Sequence, residues 1–304
     1  MDSNTELENT VVSNDREVER KDLDIYNLVP EIEASYTGSP LSPQTADILN
    51  EFERDQKGGV IREGSYSILK YSELVEDKIN QNSKEYIDKV QAINPEVPFE
   101  NIPLYLLSSP VTRIACALKG KGIAINTRTL LENQRDGKFI ANTLVHEATH
   151  VFINRLGKEP DFLKGEYKRE ILDFLWFEGL AQYMEPYPDE ISKMFKEDAD
   201  KWTKILNTWF KTDSEQEKGN ILDSILNMES TKKILTYRHG KEKNERTNVL
   251  LERSSKDETL QALIVQEGFG YYIGKTLWEQ EIGKGRDLKE LVMKGSLDID
   301  NWIQ

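Results

Sequence analysis

Cysteine is almost missing from this sequence: there is one, Cys116, in 304 residues. No internal disulfide can form, so a core of apolar side chains has to hold the fold, and zinc sites built from cysteine pairs are excluded. Cys116 lies in the apolar run Ile114–Leu118, where a buried, inert thiol is the expectation and a reactive one the alternative. Positive charge is also in short supply, with 40 Lys and Arg against 54 Asp and Glu, a net charge of -14. A phosphate backbone is repelled by such a chain, which argues against nucleic-acid binding, and an anionic membrane surface is disfavoured for the same reason. Long hydrophobic runs are absent, so no membrane span is expected.

The first residues, "MDSNTELENTVVSNDREVERKD", lack the basic start and apolar stretch of a secretory signal. As written, the chain is expected to be cytoplasmic. If Met1 is not the natural start, a polar tether is what the loss of a signal or lipid-anchor segment leaves behind, and an exported or lipid-anchored protein is the alternative.

Residues 1–22 are polar without periodicity and are expected to be a disordered tail. Residues 23–98 read as an N-terminal helical region. Apolar residues recur at helical spacing from Gln44 to Arg54 and from Ser65 to Ile93, with a break expected near Asn80 to Ser83. Pro95 and Pro98 end that region. Three short apolar or alternating segments follow, Ile102 to Ser109, Val111 to Leu118 and Gly122 to Thr127, separated by proline and glycine, and they predict a sheet over 102–127. Helical patterns then dominate: 138–156, 167–185, 188–211, 219–229, 257–266 and 270–282. The expected architecture is α+β, a small mixed sheet on a mainly helical body, with residues 99–304 as the functional domain and 188–304 as its helical C-terminal part.

The chemistry concentrates in "NTLVHEATHVFINRLG", Asn142 to Gly157. The chain has three histidines, and two of them, His146 and His150, stand four residues apart with Glu147 between them. On a helix this spacing points both imidazoles at one ion, while Glu147 projects beside them as a general base for an activated water. A catalytic zinc takes a third protein ligand and keeps one position open. The continuation H-x-x-G-x-x-H is missing, since Ile153 and Leu156 occupy its positions. Downstream, "LDFLWFEGLAQYMEPY" carries Glu178 alone among Leu175, Trp176, Phe177 and Leu180, where a carboxylate is costly unless paired. Glu178 is therefore the expected third ligand of Zn2+. Asp173 and Glu185 are the rival carboxylates, either of which could instead accept from a ligand's imidazole N–H. The small residues Gly179 and Ala181 are expected to let this helix approach the one bearing the histidines.

The pattern His146-Glu147-x-x-His150 followed by Glu178-Gly179-Leu180-Ala181-x-Tyr183 resembles the gluzincin zinc metallopeptidases, in particular the DUF2268-like family of predicted zinc-dependent proteases. Two further segments fit the resemblance. "KGKGIAINTRTLL" looks like that fold's edge strand, and "GFGYYIGKTLWEQ" looks like its later G-Y-x-I-G segment at Gly270 to Gly274. The resemblance spans Ile102 to Ile282 and implies a zincin-like body and a zinc-dependent peptidase acting on a peptide or protein substrate. An oxyanion donor besides the metal is needed, and Tyr271 is the expected one, with Tyr272 and His239 as alternatives. Consecutive tyrosines on a helix diverge by about 100°, so one of the pair faces the site and the other the core. For Gly122 to Thr127, an edge strand that pairs with substrate and an internal strand are both open. Rival functions are a zinc amidase or deformylase-type hydrolase on a small substrate, and a non-catalytic zinc-stabilised binding module.

Overall fold

The short strands pair non-locally into one mixed sheet. In the computed structural model, residues 23–54, 66–162, 166–188, 190–240 and 243–303 are described; the segment expected as a disordered tail lies outside them. The sheet has the order β1 (Leu23–Asn27), β2 (Ile102–Leu107), β4 (Gly122–Asn126) and β3 (Ala115–Leu118). β1 runs parallel to β2 and β2 parallel to β4, whereas β3 is antiparallel to β4. The α+β class expected from the pattern is what the chain adopts. Residues 23–98, read as helical, also supply β1: Leu23 and Ile25 turn to the main core while Asp24 and Tyr26 alternate with them.

Gly122 to Thr127 holds β4, an internal strand paired on both sides, so the edge-strand expectation for Lys119 to Leu131 is corrected. The edge is β3. The tight turn after Leu118 brings the chain back antiparallel, and Gly122 sits where a Cβ would lie 2.1 Å from the Pro103 carbonyl oxygen, so β2 and β4 can close only over a glycine.

Helices cover both faces. α1 (Val29–Ser35) and α2 (Pro43–Glu53) pack Ile32, Ile48 and Phe52 against Tyr105, Leu107 and Ala124. On the other face, Leu104, Leu106, Ile123 and Ile125 meet α3 (Tyr66–Gln91), which runs unbroken through Asn80 to Ser83, and α5 (Gly137–Arg155), which follows the short α4 (Thr127–Glu132). The break read into α3 does not form because Asn80 to Ser83 are at least partly solvated and include no proline or glycine, so the modest helix propensity of Asn80, Asn82 and Ser83 is overridden by the apolar stripe of Val75, Ile79, Ile87 and Val90.

α6 (Tyr167–Met184) crosses α5. The segment expected as one helix over 188–211 is two, α7 (Glu190–Glu197) and α8 (Ala199–Trp209). α9 (Glu215–Asn227), α10 (Glu229–His239), α11 (Lys243–Leu251) and α12 (Lys256–Gln261) follow, then a π-helical turn at Ala262–Gln266 and α13 (Phe269–Gly283). α13 lies flat on α6. A Cβ on Gly274 would come 2.2 Å from the Leu175 carbonyl oxygen and 2.7 Å from Gly179 Cα, and the Trp278 indole donates to the Trp176 carbonyl at 3.0 Å. Gly179 therefore admits α13, not the histidine helix as its small size suggested.

Adding a methyl at this backbone contact overpacks it. Gly274→Ala is expected to destabilise the protein by about 3 kcal/mol in urea unfolding. Gly283→Ala, in the same helix with no neighbour within 4 Å, serves as the control and should be neutral or slightly stabilising. Equal stability of the two variants would mean that α6 and α13 are not in backbone contact.

Candidate metal centre

α5 starts where the Asp136 side chain accepts from the Phe139 N–H at 2.9 Å, and it ends at Leu156 before Gly157, whose φ of +64° turns the chain out of the helix. Between these caps it is buried on most sides, wedged among α3, α6, β3 and β4. His146 and His150 are 8% and 6% exposed, so both imidazoles have left water. Their rings meet edge to face at 4.8 Å.

Glu178 reaches them from α6. One oxygen, Oε2, lies 3.1 Å from His146 Nε2 and 3.2 Å from His150 Nε2. The three ligand atoms fall within 4.8 Å of one another, and among the described residues this is the group that could hold a metal ion. Tetrahedral zinc with ligands at about 2.0–2.1 Å separates neighbouring donor atoms by roughly 3.3 Å, and the two histidine-to-carboxylate distances are close to that. The donor set, two imidazoles and a carboxylate with room beside them, suits Zn2+.

The surroundings polarise the same atoms. Burial alone would raise the Glu178 carboxyl, but the neighbouring His150 and the hydrogen bonds from both imidazoles overcome it and hold the group well below the usual carboxylate range. For His146, burial disfavours the imidazolium, and the hydrogen bonds to Glu178 and Glu185 outweigh it, so its pKa stands well above the ordinary value. A cation entering the cluster would take the place of the protons on the two Nε2 atoms.

Glu185 explains how His146 is aimed. Pro186 disfavours helix at the preceding residue, α6 ends, and Glu185 adopts extended backbone (φ −56°, ψ 132°) as its cap. Its carboxylate lies 3.2 Å from His146 Nδ1 and takes a second hydrogen bond, at 2.7 Å, from the Gln182 amide. That arrangement puts the Nδ1 proton on the carboxylate side and leaves Nε2 for a ligand. Asn142 of α5 fixes the chain after α6, its amide donating to the Tyr187 carbonyl at 2.7 Å and accepting the Tyr187 N–H at 3.0 Å. His150 differs: its ring stacks on Phe177 at 4.1 Å, and its buried Nδ1 has no hydrogen-bond partner. The other rival carboxylate, Asp173, accepts from Arg169 Nε at 2.6 Å and stays out of the cluster.

Glu147 joins His146, His150 and Glu178 in lining a cleft of about 480 Å³. Residues 115–119, β3 and its turn, line one part of it, and among the described residues β3 pairs with β4 alone. The loop feeding β3 is held by Asn126, whose buried amide donates to the carbonyls of Ser109, at 3.1 Å, and Val111, at 3.0 Å. Tyr271 also lines the cleft, its ring 5.8 Å from that of His146 and 5.5 Å from that of Phe174. Tyr272 turns to the core and stacks on Phe195 at 5.3 Å. His239 is not in a polar loop but in the last turn of α10, paired with Glu267 at 2.5 Å; among the described residues it takes no part in the cleft. The sequence reading missed Gln182 and Asn126, although a polar residue three positions before Glu185 on an apolar helix was a usable signal for the first.

Comparison with protein-family models, curated proteins and solved structures found no match. No helix among the described residues is long and apolar enough to cross a membrane.

Cys116 sits in the β3 wall. Burial, reinforced by the nearby Glu147 charge, pushes its thiol up to about 12. At pH 8 this cuts the thiolate fraction on the order of 10³-fold against an ordinary thiol. A disulfide reagent should therefore label the native chain that much more slowly than the urea-unfolded chain; equal rates would show an accessible, ordinary thiol.

Proposed function

We propose that this protein is a zinc-dependent peptidase. The observation that carries the reading is the convergence of His146 Nε2, His150 Nε2 and Glu178 Oε2 at one point, with Glu147 beside them, in a cleft that the β3 residues help to line. A non-catalytic zinc module is the weaker account, since a structural site closes its fourth position with a protein ligand, and among the described residues the group has three members.

His146, His150 and Glu178 would hold the ion, with Glu185 setting the tautomer of His146. A zinc ion bound there would supply Lewis acidity for a water and for the scissile carbonyl. Glu147 accepts the proton of the attacking water and delivers it to the departing amine, which needs a carboxylate within reach of both atoms and not committed to the metal. Tyr271, whose ring lies 5.8 Å from that of His146, would donate a hydrogen bond to the oxygen that becomes negative. The free backbone edge of β3 pairs with an extended chain through main-chain hydrogen bonds, holding substrate with little regard for its side chains. A wall one strand long favours a polypeptide over a small amide.

Metal analysis by mass spectrometry should find about one zinc per chain. Glu178→Gln should lose it, Glu147→Gln should keep it, and Glu185→Gln should bind it about 10- to 100-fold more weakly. With an unfolded protein substrate, Glu147→Gln is expected to lower hydrolysis by about 10²-fold or more, and Tyr271→Phe to lower kcat by about 10²-fold with KM little changed. A parent chain that takes up no zinc on reconstitution would end the reading. Turnover of simple amides but not of peptides would replace it with a small-substrate hydrolase.

A further inference from the structure

The side of α5 that carries the histidines does not stop at His150. Residues 146, 150 and 154 are each one turn apart, so Asn154 continues the same stripe, and it lines the same cleft. Its Oδ1 atom is buried and accepts no hydrogen bond, whereas the buried Asn126 amide on β4 is fully engaged. An acceptor withdrawn from water with no donor is costly, so the Asn154 amide gains by turning this oxygen into the cleft when a ligand brings a donor.

The residues around Asn154 specify the donor. Glu159 lines the cleft beyond the end of α5, with Lys119 of the β3 turn as its partner at 3.5 Å. That pair is loose: Lys119 is 84% exposed and Glu159 35%. Such a pair contributes little, and another cation can replace the lysine at small cost. Phe177, 8% exposed, stacks on His150 and meets Phe162 edge to face at 5.7 Å, giving an apolar surface between the histidines and this end of the cleft. An amide oxygen, a weakly held carboxylate and an aromatic wall fit a side chain with an aliphatic stem and a cationic, hydrogen-bond-donating head. The chain's net charge of -14 draws such groups in.

We propose that Asn154 and Glu159 form a subsite for a basic residue of the substrate, with arginine preferred over lysine because its planar fork can serve two separate acceptors. The head donates to Asn154 Oδ1 and to the Glu159 carboxylate, displacing Lys119, and the stem lies along Phe177. The polypeptide nature of the substrate rests on the peptidase reading; the preference for a cation rests on this end of the cleft alone.

The test uses the full chain carrying Glu147→Gln, incubated with equimolar zinc so that peptide is bound and not consumed. Fluorescent heptapeptides carry arginine, or its neutral isostere citrulline, at each position in turn, and affinity is read by anisotropy. At one position arginine should bind about tenfold tighter than citrulline. Glu159→Gln should bring that ratio to about twofold or less, Asn154→Leu should weaken arginine binding, and Lys119→Ala, which removes the competing cation, should widen the ratio. Equal affinity of arginine and citrulline at every position overturns the proposal, as does a preference that survives both Glu159→Gln and Asn154→Leu in variants that unfold at the parent's temperature. Zinc content and hydrolysis by the unsubstituted chain are scored separately. If these fail while the arginine preference holds, the peptidase reading falls and the subsite stands; if they succeed without the preference, the subsite alone falls.

Discussion

One carboxylate oxygen shared by two imidazoles, in the middle of a helical core, is the constraint around which this chain is arranged. Glu178 is flanked by Leu175, Trp176 and Leu180, all fully buried, and an ionised carboxylate in that setting costs several kcal/mol unless its lone pairs are taken up. His146 and His150 take them up, so α5 and α6 must cross at the height of these three residues and nowhere else along their length. The helix caps then follow from the crossing. Asp136 and Gly157 bound α5 on either side of it, and Pro186 stops α6 about two turns beyond Glu178, so that Glu185 can turn back to His146.

The second face of α6 meets a different demand. Glu178 points at the histidines, so its neighbour Gly179, about 100° around the helix, points away from them and at α13, where Gly274 lets the two backbones touch. A contact this close leaves little freedom in the height of α13 on α6. Tyr271, one turn before Gly274, is thereby delivered to the cleft, and Gly270 gives way to the Phe174 ring that packs against Tyr271. The glycines of the segment Gly270 to Gly274 act on the site at a distance, through the spacing of two helices.

What could be read in the sequence and what could not divide along the same line. His146, Glu147 and His150 were legible because their relation is local, a helical spacing of four, and Glu178 because an unpaired carboxylate among large apolar residues is physically implausible in any fold. The partner of Gly179 was not legible, since a small residue announces a close approach without saying what approaches. The edge strand was misplaced for a similar reason: "GIAIN" and "ACAL" are both short and apolar, and which of them ends up outermost depends on the pairing of β2 with β4, across fifteen or more residues of chain. β1 escaped notice because Asp24 and Asn27 interrupt its apolar pattern. His239 looked like a loop residue because Gly240 follows it, but that glycine is the cap of α10 and Glu267 had no sequence signal tying it to the histidine.

The periodicity that made the candidate metal ligands legible extends further than the motif. A stripe of residues four apart on a buried helix is a rigid ruler: His146, His150 and Asn154 are spaced along about two turns, roughly 12 Å at 1.5 Å per residue. β3 and its turn line the same cleft over a similar length, because residues 115–119 span about four steps of roughly 3.3 Å. The two walls are therefore matched in extent, and a chain held against one is presented along the other. The wall of β3 offers backbone groups that do not discriminate among sequences, while the wall of α5 offers side chains that do. Under the proposed reading, Glu147 and Asn154 stand on one helix, and whatever fixes the rotation of α5, from its Asp136 cap to its Asn142 clasp on Tyr187, fixes the position of both.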